Sequence, residues 1–126
     1  EGIIECAKAC LAAGIPVGLG TDTGCPYITH YDMWREVRYF HTLCGVTNAF
    51  ALHTATLGNA KIAGIDAVTG SLTPGKSADL IVTAENPLDD LRALRHVSMV
   101  SMRGRLFRDP KVKKMPDCER ELDKML

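Results

Sequence analysis

The sequence predicts an α/β chain, and three observations carry that prediction. A short apolar run, Pro16-Val17-Gly18-Leu19, is cut off by Gly20-Thr21 and delivers Asp22. Runs of this length stopped by glycine suit a strand buried on both faces of a parallel sheet, and Pro16 with two internal glycines argues against a helix. A helical pattern stands directly in front of this run, and short strand patterns separated by turn signals fill the second half of the chain. Helix, tight turn, buried strand and polar loop together read as the second half of a βαβ repeat.

Taken in order, residues 1 to 13 form an amphipathic helix with Ile3, Ile4, Ala7, Cys10 and Leu11 on one face, ended by Gly14 and Pro16. Thr23 to Tyr31 is a loop broken by Gly24 and Pro26. Asp32 is placed to cap a helix running to about Cys44, with Met33, Val37, Phe40 and Cys44 on its apolar face. Thr47 opens a second helical stretch that continues through Leu57 to Ala63 and stops at Gly64. Thr73-Pro74-Gly75-Lys76 is a type II turn signal. Ala78 to Thr83 reads as a strand, and Val97 to Met102 with Arg105 to Phe107 as a hairpin about Arg103-Gly104. Lys111 to Lys114 is a solvated basic run, and Pro116 starts a last helix with Cys118, Leu122 and Met125 on its apolar side.

Composition narrows the function classes. Lys plus Arg and Asp plus Glu each number 15, so no charge imbalance points to nucleic acid or to an anionic membrane, and neither is expected as a partner. No apolar run approaches the roughly 20 residues of a membrane span. Cysteines 6, 10, 25, 44 and 118 are odd in number and form no Cys-x-x-Cys pair, which favours free thiols and a cytoplasmic location. Glu1 already lies inside a helical pattern, as expected of a piece of something longer.

A strand buried on both faces needs parallel neighbours, and the first half of the chain supplies none. They are expected upstream in a longer chain or from another chain; the second case makes a homo-oligomer the expected assembly.

Val17-Gly18-Leu19-Gly20-Thr21-Asp22-Thr23 resembles the last barrel strand of the metal-dependent amidohydrolase superfamily. Thr54-Ala55-Thr56-x-x-Asn59-Ala60, followed by Gly70-Ser71-Leu72-x-Pro74-Gly75-Lys76-x-Ala78-Asp79-Leu80-Ile81-Val82, resembles its C-terminal signature. The nearest likeness is to the imidazolonepropionase-like and Xaa-Pro dipeptidase-like branch, over residues 1 to about 109. The resemblance implies the C-terminal segment of a (β/α)8 (TIM) barrel with part of a small β-sandwich domain. Residues 1–63 would belong to the barrel, 64–112 to sandwich strands, and 113–126 to a C-terminal helix. It also implies one or two divalent metals, usually zinc, bound mainly by histidines that this chain lacks as a His-x-His pair. The substrate implied is a small amide, cyclic amide or dipeptide.

Only one family role maps residue for residue, onto Asp22, as metal ligand and proton shuttle. A metal-lowered water pKa and a neighbouring carboxylate suit C–N hydrolysis. By position alone Asp22 could equally satisfy backbone N–H groups in the following turn. His30, Cys25 and Thr29, in the loop after Asp22, are candidate substrate contacts. His41 and His53 fall within helices and His96 before a strand, where packing or surface roles serve as well.

Two functions follow. In the first, the chain is the C-terminal part of a hydrolase of C–N bonds, inactive by itself and holding no metal tightly. In the second, it is a non-catalytic module that folds by self-association or strand exchange through the edge at Ile15 to Leu19.

Overall fold

The computed structural model describes residues 2–126. Glu1, which the sequence places at the start of the first helix, lies outside them. Helix α1 (Gly2–Ala12) ends as expected at Gly14, whose φ is +70°. The Ile15 N–H bonds the Cys10 carbonyl and the Gly14 N–H bonds the Leu11 carbonyl, a Schellman closure. This helix buries no residue, and Ile3, on the predicted apolar face, is 88% exposed.

Helix α2 (Met33–Cys44) is the centre of the packing. Val37 and Phe40 join Ala51 and Leu91 in the core cluster, and Leu11, Val17, Leu19, Met33 and Cys44 pack around them. Burial of that apolar area is what holds the first half together. Asp32 stands at the N-cap position, but its side chain makes no capping bond. It accepts instead from the Thr29 hydroxyl at 2.7 Å and the Trp34 indole at 3.0 Å, and faces Arg35 Nε at 3.3 Å. Its partners are buried side chains, and these outcompete the helix end.

Thr47 does cap α3 (Asn48–His53), accepting from the Phe50 N–H at 3.1 Å. The helix then runs through a π turn (Thr54–Gly58) into α4 (Asn59–Ile62) and stops at Gly64. The sequence predicts continuity here and gives no sign of the π turn. At Gly70, φ is +88° and a Cβ would lie 2.5 Å from the Ala60 Cβ, so only glycine lets this loop touch the helix.

Thr73 to Lys76 closes as a turn, with the Lys76 N–H on the Thr73 carbonyl and Gly75 at φ +91°. No strand forms over Val68 to Leu72, and the predicted strand from Ala78 starts later, as β1 (Leu80–Thr83). It pairs antiparallel with β2 (Val97–Met102), which pairs with β3 (Arg105–Arg108) in a three-stranded sheet of order β1-β2-β3. Arg103 and Gly104 both take positive φ, the type I′ geometry a two-residue hairpin requires. Asp79 holds that turn, accepting from the Arg103 N–H at 2.7 Å and from the Thr69 hydroxyl at 2.9 Å. The hydrogen bonds from Arg103, Ser77 and Thr69 keep its carboxyl below the usual value. A 3-10 turn (Leu91–Arg95) lays Leu91 into the core.

The last helix, α5 (Pro116–Asp123), starts at proline as expected, and its most buried position is Glu119, beside the predicted face. Cys118 and Leu122 are half-buried and Met125 is 65% exposed, while Glu119 is buried. Charge decides the orientation. Glu119 and Asp123 pair with Arg35 and Arg95 at 2.8 to 3.4 Å. Among the described residues no helix is long and apolar enough to cross a membrane.

Candidate functional site

The segment that carries Asp22 is extended, but among the described residues no strand pairs with it. The predicted strand over residues 16–22 is therefore an extended ribbon with no ladder among the described residues. Exposure alternates along it: Val17, Leu19 and Thr21 are half-buried, and Gly18, Gly20 and Asp22 are exposed. That is the period of a strand with one face on the helices and the other open.

One polar clamp replaces the missing ladder. The Leu19 N–H donates to Asn59 Oδ1 at 2.8 Å, and Asn59 Nδ2 donates to the Leu19 carbonyl at 2.8 Å. In the sequence Asn59 stands out only as a member of the Thr54-Ala55-Thr56-x-x-Asn59-Ala60 motif and as a poor helix former inside a helix.

Asp22 ends the ribbon with φ +52°, a left-handed conformation uncommon outside glycine, though aspartate tolerates it better than most residues. Its Oδ2 lies 3.9 Å from the Cys25 Sγ, and the Thr21 and Thr23 hydroxyls bond each other at 2.5 Å. The loop thus brings Asp22 and Cys25 together. Thr29 is elsewhere: it is buried, with its hydroxyl given to Asp32. His30 follows it in sequence and is exposed. Of the remaining histidines, His41 spends Nδ1 on the Val46 carbonyl at 2.6 Å.

Behind the loop lies a cleft of about 250 Å³, lined by Thr21, Thr29, Asp32, Arg35, Glu36 and Tyr39 among others. Asp22 is not in its lining. Burial pushes Asp32 up, but hydrogen bonds from Thr29 and Trp34 and the charge of Arg35 outweigh it and hold the carboxyl below its ordinary value. Glu36 has no such partners, and burial raises it. This cluster ties α5 to the loop, as do the Met115 N–H on the Tyr31 hydroxyl at 2.9 Å and the Cys118 thiol on the Tyr27 carbonyl at 3.9 Å.

Among the described residues no three His, Cys, Asp or Glu side chains converge in a group that could hold a metal. A divalent ion needs three or more protein ligands in such enzymes. Asp22 therefore offers a lone exposed carboxylate here and not a coordination set.

The geometry has clear relatives. The model of the amidohydrolase family matches residues 1–107. The crystal structure of a candidate prolidase from Bifidobacterium longum is similar at 45% identity and a TM-score of 0.93, covering 96% of this chain and 30% of that one. A Xaa-Pro dipeptidase with methionine bound in its active site is similar at 31% identity and a TM-score of 0.76, over 84% of this chain and 25% of that one. Guanine deaminase of Escherichia coli (strain K12) is 34% identical over 98 residues, 74% of this chain and 22% of the deaminase. The chain thus spans about a fifth to a third of the length of these relatives.

Proposed function

The chain belongs to the amidohydrolase family, and on that footing we propose that it supplies the C-terminal part of an enzyme that hydrolyses C–N bonds in small amide- or peptide-like substrates. In this reading residues 1–63 close a (β/α)8 barrel, residues 64–112 add strands to a small sandwich, and 113–126 pack outside. Likeness to a candidate prolidase and to a Xaa-Pro dipeptidase makes Xaa-Pro dipeptides the first substrate class to test.

The observation that carries the reading is the placement of Asp22. An exposed carboxylate ends an extended ribbon at a left-handed residue, with a polar loop following it. Open-faced strand ends are where α/β enzymes gather their chemistry. There Asp22 accepts the proton of the attacking water and returns it to the departing nitrogen. The same carboxylate would be this chain's ligand to a divalent ion, zinc by expectation, completed by residues outside it. When bound, such an ion supplies the acidity that makes water a nucleophile near neutral pH. Cys25 and His30 would face substrate from the loop, with Thr29 holding its base.

The test is the full-length enzyme assayed for proline release from methionyl-proline. Asp22→Asn is expected to lower kcat by about 10³-fold, within the range general acid–base groups supply. Activity of the variant within about threefold of the parent would overturn the role of Asp22. Turnover of a cyclic amide in place of the dipeptide would move the substrate class and leave that role standing.

A further inference from the structure

Asn59 is forty positions from Leu19 in sequence, yet its side-chain amide exchanges two hydrogen bonds with that residue's backbone, both at 2.8 Å. A neighbouring strand would offer Leu19 the same donor and acceptor. We infer that Asn59 is a positioning residue for Asp22, setting the height and twist of the ribbon that ends in the carboxylate. The inference rests on the proton-transfer role proposed for Asp22.

Three further observations converge on the clamp. First, Asn59 directly follows the π turn over Thr54–Gly58. One residue inserted into a helix rotates everything after it by about 100°, so an unbroken α-helix would aim this amide elsewhere. Second, a Cβ at Gly18 would lie 3.1 Å from Asn59 Oδ1 and 3.2 Å from Ile62 Cδ1; the ribbon is glycine where the clamp needs room. Third, Gly70 lies against the same helix, where a Cβ would come within 2.5 Å of the Ala60 Cβ and 3.2 Å of the Leu57 Cα, so the helix that carries the amide is held close to this loop as well. Asp22 is three residues beyond Leu19, about 10 Å along an extended chain. A loosened ribbon therefore moves the carboxylate at its end.

Misplacement of a reacting group by about 1 Å costs on the order of a hundredfold in rate. A loosened ribbon should thus lower kcat and spare KM. The experiment uses the full-length enzyme with methionyl-proline, rates being expressed per folded molecule. Asn59→Leu, which removes both hydrogen bonds, is expected to lower kcat by about ten- to a hundredfold with KM within about twofold. Asn59→Asp keeps the acceptor for the Leu19 N–H but turns a second oxygen on the Leu19 carbonyl. Once protonated it can donate again, so its kcat relative to the parent should rise as pH falls. Values of kcat within about twofold of the parent for both variants, or a ratio for Asn59→Asp that is flat with pH, would overturn the positioning role. So would failure of both variants to fold, which would make Asn59 a residue of the fold alone. Asp22→Asn in parallel separates the two ideas. An inactive Asp22→Asn beside unaffected Asn59 variants sinks only the positioning role, whereas an active Asp22→Asn sinks the proton-transfer reading beneath it.

Discussion

Gly45 and Gly70 both take positive φ, at +73° and +88°, but for different reasons. Gly45 closes α2, its N–H on the His41 carbonyl, and a Cβ there would meet nothing within 4 Å. Gly70 would drive a Cβ to 2.5 Å from Ala60 and 3.2 Å from the Leu57 Cα. Gly45→Ala therefore carries only the left-handed backbone penalty, about 1 kcal/mol. Gly70→Ala adds overpacking against a helix and is expected to cost about 3 kcal/mol. Urea unfolding of the two variants gives the comparison, and equal losses would show that the helix yields to the added methyl. The sequence made Gly14, Gly64 and the Pro74-Gly75 turn readable, because glycine or Pro-Gly at a break is a local signal. The need for Gly70 comes from a helix ten residues upstream, and no local rule carries it. The same holds for Asp32, whose capping position is readable while its buried partners are not.

Helix α5 shows how a charged element can override an apolar pattern. Its Cys118-Leu122-Met125 stripe predicts one face; the fold half-buries Cys118 and Leu122, leaves Met125 exposed and buries Glu119 more deeply, against Arg35 and Arg95. Arg35 is only 3% exposed and faces Asp32, Glu119 and Asp123. Removing one member of a buried ion cluster leaves the others without a counter-charge, at a cost of about 3–5 kcal/mol. Arg35→Met should therefore unfold at markedly lower urea near neutral pH. Asp32 is held low in the fold, so as pH falls the unfolded chain binds its proton first. Its contribution is complete above the ordinary aspartate value of about 3.9 and is lost as pH falls through the lower folded value. Burial pushes Asp123 up, but the hydrogen bonds and charges of Arg95 and Arg35 outweigh it, so it acts in the same direction. Glu36, raised by burial, acts oppositely and gives back stability as it protonates. In Arg35→Met Asp32 loses its cation, and the gap between variant and parent should narrow as pH falls below about 4. A gap that stays constant as pH falls from about 7 to about 3 would show that Arg35 acts through packing rather than charge.

The α/β class, the hairpin and the order of helices were readable because each follows from local periodicity or turn chemistry. The ribbon over residues 16–22 was readable as a strand lacking neighbours, and the structure leaves it unpaired among the described residues, gripped by one asparagine. That substitution of a side chain for a ladder is a contact between distant residues, which periodicity cannot register. The same incompleteness marks the surface. Leu72 is 76% exposed and Val68 60%, α1 buries no residue, and the described core cluster rests on four side chains. Among the described residues no group of three His, Cys, Asp or Glu side chains gathers about Asp22. The 126 residues purified by themselves should then show two linked behaviours. After equilibration with zinc and passage over a chelating resin they should retain under about 0.1 ion per chain, since one carboxylate does not hold the metal. They should also sediment as more than a monomer and bind an apolar dye, because an unpaired ribbon and exposed apolar side chains recruit copies of the chain. Stoichiometric zinc lost on Asp22→Asn would mean that this chain builds a site unaided, and a compact monomer without dye binding would mean that its faces are satisfied as they stand.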